Sequence, residues 1–222
     1  MSLNKTVTDR EIKVIGLTGG IGTGKSTAAG YLKKKGLIHV DADEISRAMT
    51  ADGSHMVYVL GDIFGPDGEM GAPGVNVLKA EGCLDRKALA SLVFADTVKK
   101  QRLDELMFGA ITEEIDRQIS DIKRTGWTEV ISGILLDAPL LFEAGLDNRC
   151  DTVLLLTADT DIRIARVCVR DGTTPEEVGA RIRNQMSDDE KIQKADYVID
   201  NSDTAEKLYE KLDIYFDTVV LR

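Results

Sequence analysis

Proline and cysteine are scarce in this chain, and its apolar runs are short. Four prolines beside 20 glycines in 222 residues exclude a collagen-like or proline-rich disordered protein. The three cysteines, Cys83, Cys150 and Cys168, are odd in number and lack C-x-x-C spacing. That argues against a disulfide framework and a zinc site, and makes a reducing cytoplasm the expected setting. No apolar run is long enough to cross a bilayer, and Met1 to Glu11 is polar without the apolar core of a secretory signal, so neither export nor anchoring is expected. Met1 to Arg10 reads as a loose tail. Positive charge is also in deficit: a net charge of -10 argues against a general nucleic-acid or anionic-membrane binder, since such partners demand a basic surface. Basic residues are expected to gather where phosphates bind.

The residues that are present point to one place. Gly19-Gly20-Ile21-Gly22-Thr23-Gly24-Lys25-Ser26 fits G-x-x-x-x-G-K-[S/T], follows an apolar run at Ile12 to Leu17 and precedes an amphipathic segment. This is the strand, loop and helix of a phosphate-binding P-loop. Glycines allow a tight turn that brings backbone N–H groups against phosphate oxygens, and the helix points its positive end at the same anion. In that role Lys25 reaches the β- and γ-phosphates and the Ser26 hydroxyl ligates Mg²⁺.

Five short apolar runs punctuate the chain: Ile12 to Leu17, Leu37 to Val40, Val130 to Leu136, Thr152 to Thr157 and Tyr197 to Ile199. Continuous rather than alternating, and separated mostly by helical patterns, they predict a doubly wound α/β fold with a five-stranded parallel sheet buried on both faces. Ligands in such sheets gather beyond the carboxyl ends of the strands. The residues found there are the P-loop, Asp41-Ala42-Asp43, Asp137-Ala138-Pro139, Ala158-Asp159 and Asp200-Asn201. Asp159 and Asp200 read as helix N-caps. Asp43 is the candidate general base for an attacking hydroxyl, with Asp41 as its runner-up.

The interval from about 51 to 128 opens on a Gly-rich stretch, Gly61 to Gly82, that reads as loop. Helical patterns follow at Arg86 to Phe94 and, after an N-cap at Asp96, as far as Ile122. The interval is too long for a simple crossover and predicts a helical lobe able to carry a second substrate. Beyond the fourth strand, Ile162 to Val169 is helical, Gly172 stops it, and Thr174-Pro175-Glu176-Glu177 begins another helix with a capping box. Arg166 and Arg170 share one helix face, with Arg163 close by, and suit either a lid over phosphates or ion pairs with Asp161 and Asp171. The last pattern, Ala205 to Phe216, is an amphipathic helix that turns Leu208, Leu212 and Tyr215 inward.

A P-loop by itself serves kinases, GTPase switches and motor ATPases. The small size, the long insertion and the paired arginines favour a kinase, and the Asn-Lys-x-Asp stretch of guanine recognition is missing from the sequence. The blocks Ile15 to Thr27, Asp41-Ala42-Asp43-Glu44-Ile45-Ser46-Arg47, Leu84-Asp85-Arg86, Asp137-Ala138-Pro139-Leu140-Leu141-Phe142-Glu143 and Ala195 to Asn201 resemble the dephospho-CoA kinases, in order, from about residue 12 to 212. Arg166, Arg170, Arg181 and Gln185 fall on that family's lid pattern. The resemblance implies transfer of the ATP γ-phosphate to the ribose 3′-hydroxyl of dephospho-CoA, the last step of coenzyme A synthesis, with Mg²⁺.

Carried over residue by residue, it implies an ATP phosphate site at Gly20, Gly22, Thr23, Gly24, Lys25, Ser26 and Thr27, with Asp43 as base and Arg166 and Arg170 as phosphate clamps. It places Asp41, Arg47, Arg86 and Glu143 at the acceptor, and Ser26 and Asp137 at the metal. It further implies one P-loop kinase domain over 1–222, with a nucleotide-binding core at 11–50 and 129–222, an acceptor-binding insertion at 51–128 and a lid at 160–190. Two departures fall in the acceptor half: Phe108-Gly109 stands where the family usually carries His-Pro, and the Gly-rich loop from 66 to 82 is longer than usual. The alternatives are another small-molecule or nucleoside monophosphate kinase, and a nucleotide-binding regulator without transfer chemistry.

Overall fold

The computed structural model describes residues 12–80, 82–125 and 131–221; the expected tail at Met1 to Arg10, and Val130 of the third apolar run, lie outside them. The chain divides into two compact units, Met1–Asp41 with Ile119–Arg222, and Ala42–Gln118. The second unit begins at Ala42 rather than near residue 51, so it takes in the helix that carries Asp43.

The first unit is built on a parallel sheet of β1 (Val14–Gly19), β2 (Leu37–Asp41), β5 (Gly133–Asp137), β6 (Thr152–Thr157) and β7 (Tyr197–Asp200), in the order β2-β5-β1-β6-β7. From central β1 the chain crosses to the β2 edge, returns to β5, then moves to the other side for β6 and β7. That reversal of direction is the switch at which such sheets hold ligands. All six residues of β1 and all five of β5 are buried, which is why these strands read as continuous apolar runs. Ile15, Leu17, Leu135, Leu154 and Leu156 share a core with Ala28, Ala29 and Leu32 of α1 (Lys25–Lys34) and with Leu208, Leu212 and Tyr215 of α9 (Ala205–Tyr215). Each fully buried Leu or Ile stabilises the fold by about 1.5–3 kcal/mol relative to an exposed one. The three inward residues expected of the last helix are thus all buried. After β6 come α6 (Thr160–Asp171), α7 (Pro175–Arg183) and α8 (Asp188–Lys194). Gly172 ends α6 at φ 64°, and Thr174 with Glu177 closes the expected capping box on α7. Helix α8 is an addition; seven residues are too few for a periodic apolar pattern, though Ser187 and Glu190 form a second capping box at its start.

The second unit holds α2 (Ala42–Met49), α3 (His55–Phe64), a hairpin of β3 (Leu78–Ala80) and β4 (Cys83–Leu84), and α4 (Arg86–Phe94). Helix α5 (Thr97–Arg124) begins in this unit, with Asp96 accepting from Val98 N and Lys99 N as the expected N-cap. One expectation needs correcting. Gly61 to Gly82 is not all loop, because α3 runs through Gly61 to Phe64 and the hairpin occupies the far end. Val57, Leu60 and Phe64, all fully buried, supply the helical stripe that outweighs the glycine at 61. They pack with Leu84, Leu89, Leu92 and Val93, and with Leu103, Leu106 and Met107 of α5. Helix α5 also continues unbroken through Phe108-Gly109, where a proline would have removed a backbone donor.

Candidate active site

The shape of the P-loop follows from the way β1 runs into α1. The loop leaves the sheet after Gly19 and closes on itself: Thr23 N and Thr23 Oγ1 both donate to Gly20 O, at 3.3 and 2.9 Å. Gly22 at φ 82° and Gly24 at φ 89° occupy left-handed backbone. Space makes the same demand, since a Cβ on Gly22 would lie 2.7 Å from the Arg163 carbonyl oxygen and one on Gly24 would lie 2.3 Å from Asn201 Nδ2. Gly24 then caps α1 without a side-chain acceptor. Lys25, Ser26 and Thr27 form the first turn of the helix; Thr27 N donates back to Gly24 O at 3.0 Å, and the N–H groups of Lys25 and Ser26 point toward an anion site.

Lys25 reaches back to the end of β5 and pairs with Asp137 Oδ1. The other oxygen of that carboxylate lies 3.1 Å from His39 Nε2. Sheet register explains the grouping. Asp41 of β2 is the registered partner of Asp137 on β5, and His39, two residues before Asp41, lies on the same face. Donor atoms of His39, Asp41 and Asp137 come within 4.8 Å of one another, the one three-residue group with metal-ligand geometry found among the described residues. His39 was not among the expected site residues; alternation along β2 was the only signal that would have found it.

The loop is gripped from the other side by residues of the 160–190 segment and by Asn201. Arg163, 2% exposed, donates from Nε to Ile21 O at 2.8 Å and from Nη1 to Asp188 Oδ2 at 2.7 Å. Gln185 Oε1 accepts from Ile21 N at 3.0 Å, and Asn201 Nδ2 donates to Thr23 O at 2.8 Å. Arg163, expected only as a neighbour of the lid pair, is therefore the arginine built into the loop. We expect Arg163→Ala to destabilise the fold by about 2 kcal/mol, below the full cost of a buried pair because Asp188 keeps some contact with water. Arg163→Lys should not restore it, one ammonium being unable to hold both partners. Thermal unfolding without nucleotide measures both.

The expected lid arginines divide. Arg166 donates weakly to Asp203 O at 3.3 Å while its Nη1 is buried without a hydrogen-bond partner among the described residues. Arg170 is taken up by Asp171 at 2.7 and 3.0 Å, and Arg181 shares the same carboxylate. The Arg170 guanidinium holds the Asp171 carboxyl below its usual range, and Asp171 in turn raises Arg170. For Arg170 the structure thus displays the ion-pair alternative. Asp159 starts α6 by position but makes no side-chain cap. Asp200 is no helix cap: its carboxylate accepts from Ser202 N and Oγ, and Thr204 caps α9.

Glu143, expected at the acceptor, accepts from Met186 N at 3.2 Å and lies 3.4 Å from Lys191 Nζ. In the second unit, Asp43 falls in the first turn of α2 and Arg47 in its last. Arg86 opens α4 and donates to Thr50 O and Thr50 Oγ1, both at 2.9 Å. It borders a groove of about 360 Å³ lined by Leu60, Leu84, Leu89, Val93, Leu103 and Met107 among others.

A glycine loop feeding a helix on a five-stranded parallel sheet, with Lys25 and Ser26 at the helix start and an aspartate at the adjacent strand end, defines a phosphotransferase of the P-loop kinase class. Residues 13–207 match the sequence model described as dephospho-CoA kinase, and the chain belongs to that family. Curated relatives named dephospho-CoA kinase include one from Symbiobacterium thermophilum, 38% identical over 86% of this chain and 74% of the relative. Another, from Corynebacterium diphtheriae, is 36% identical over 94% of this chain and 100% of the relative. Among solved structures, a Thermus thermophilus protein aligns over 95% of this chain and 99% of its own with a TM-score of 0.74 at 30% identity. The dephospho-CoA kinase from Campylobacter jejuni aligns over 93% and 96% with a TM-score of 0.68; at 24% identity it speaks for the fold. No helix among the described residues is long and apolar enough to cross a membrane.

Proposed function

We propose that this chain transfers the γ-phosphoryl group of ATP to the ribose 3′-hydroxyl of dephospho-CoA, giving coenzyme A and ADP. The observation that carries the reading is the family match over residues 13–207, supported by a glycine loop that opens α1 at Lys25. On this reading the loop from Gly22 to Thr27 cradles the phosphates, chiefly through the N–H groups of Gly22, Gly24, Lys25 and Ser26, and Lys25 exchanges its pairing with Asp137 for the β- and γ-phosphate oxygens. Asp43 accepts the proton of the acceptor hydroxyl as the new P–O bond forms. Arg166, with a buried nitrogen in search of an acceptor, offsets charge on the transferring group, and Arg170 does so after leaving Asp171. Arg47, Arg86 and Asp41 hold the acceptor.

The Ser26 hydroxyl and the Asp137 carboxylate are hard oxygen donors of the kind Mg²⁺ takes, and Asp137 already pairs with the Lys25 ammonium, so these residues fit the ion. When bound, Mg²⁺ supplies charge neutralisation across the β- and γ-phosphates. Free cysteines at 83, 150 and 168 accord with a cytoplasmic setting.

The deciding experiment is phosphate transfer from ATP to dephospho-CoA, run beside nucleoside monophosphates and other ribose-bearing acceptors. Turnover with monophosphates but not with dephospho-CoA would replace this reading by a nucleotide kinase, and ATP binding without transfer to any acceptor would replace it by a regulator. Arg166→Ala should lower turnover by about 10²-fold with little change in melting temperature; an effect on melting alone would return Arg166 to a structural role.

A further inference from the structure

Lys191 is 0% exposed, and its ammonium makes no hydrogen bond among the described residues. One carboxylate compensates it, that of Glu143 at 3.4 Å. A buried lysine with a single counter-charge is costly to build, so its position needs a reason beyond packing. The reason lies in what Glu143 does with the same oxygen: Oε1 accepts the N–H of Met186. Met186 stands in the four-residue turn between α7 and α8. The residue before it, Gln185, takes the N–H of Ile21, and Asp188, two residues after it, takes the Arg163 side chain whose Nε holds the carbonyl of the same Ile21. Between them, Gln185 and Arg163 engage both polar backbone groups of one residue in the middle of the P-loop.

We propose that Glu143 and Lys191 form a latch that fixes this turn and the start of α8, and through them the P-loop, making both of them positioning residues for ATP. The proposal rests on the reading that this loop binds ATP. Cradling depends on the directions of successive N–H groups, and a peptide plane rotated at Ile21 turns its neighbours with it. Glu143 approaches from the segment after β5 and Lys191 from α8, so the turn is tied to two elements of the first unit. Lys191 supplies the opposite charge that draws Glu143 inward, and Glu143 supplies the acceptor that holds Met186.

The test is the dissociation constant of a fluorescent ATP analogue measured without acceptor, joined to separate KM values for ATP and dephospho-CoA. Glu143→Gln, Lys191→Met and Gln185→Ala should each weaken nucleotide binding about tenfold and leave the KM for dephospho-CoA unchanged. Combining Glu143→Gln with Lys191→Met should cost less than the sum of the two, because no orphaned charge then remains in the interior. Should Lys191→Met fail to fold, Gln185→Ala and Glu143→Gln carry the same measurement. Wild-type nucleotide affinity in folded Glu143→Gln and Gln185→Ala, with only a lowered melting temperature, overturns the latch. So does a Glu143→Gln effect confined to the KM for dephospho-CoA, which would make Glu143 an acceptor contact. A wild-type protein that binds ATP but ignores dephospho-CoA defeats the acceptor assignment alone, and the nucleotide arm still reads the latch.

Discussion

Lys25→Ala should reduce ADP release in the presence of dephospho-CoA by about 10³-fold or more. The charge removed is the one aimed at the phosphates during transfer, and loss of a single well-placed donor to a developing charge already costs about 10²–10³-fold. Two effects combine here. Lys25 is the first residue of α1, so its ammonium is delivered by the element whose N–H groups cradle the anion. It also offsets the Asp137 carboxylate, which is only 5% exposed. In the variant that carboxylate keeps His39 as its described partner and repels the incoming triphosphate. Steady-state kinetics with saturating acceptor, beside nucleotide binding by calorimetry, separates the two: lost transfer with unchanged nucleotide affinity fits the transfer role alone, lost transfer with weakened binding fits both, and unimpaired transfer removes Lys25 from the phosphate role.

Asp43→Asn should lower kcat by about 10²-fold or more while leaving ATP affinity near that of the wild type, the signature of a proton acceptor that contributes only as the bond forms. Asparagine keeps the size and the hydrogen-bonding reach and removes the basicity. Asp41→Asn is the informative comparison. Asp41 closes β2 opposite Asp137 and belongs to the His39 group, so its loss should show in the dependence of the rate on divalent-ion concentration. A kcat loss larger for Asp41→Asn than for Asp43→Asn would exchange the two assignments.

Features set by neighbouring residues were legible in the sequence. Strand β6 and helix α4 stand where the apolar runs placed them, and the Thr174 capping box and the Gly172 stop appear as expected, because each is decided within one turn or one strand. Helix α3 was hidden by Gly61, whose low propensity conceals a stripe that only tertiary burial reveals. In the candidate site, Lys25 and Asp137 were visible as motif positions. What joins Arg163, Gln185 and Lys191 to the loop was not visible, since those contacts depend on where α6, α7 and α8 come to rest. Arg170 shows the limit of spacing arguments: facing Arg166 across one helical turn, it is held instead by its neighbour Asp171.

The grip on the P-loop bears on how the protein is made. The loop emerges from the ribosome well before the groups that hold it: Gln185 and Asn201, which engage it at Ile21 and Thr23, lie 164 and 178 residues further along the chain. Central β1 likewise waits for β5 and β6 to be synthesised before either edge can pair. Contacts so distant in sequence form late. A nascent or truncated chain ending before residue 185 therefore contains every glycine of the motif without the groups that shape it. The ability to bind nucleotide should arise only once residues 185 to 201 have been synthesised.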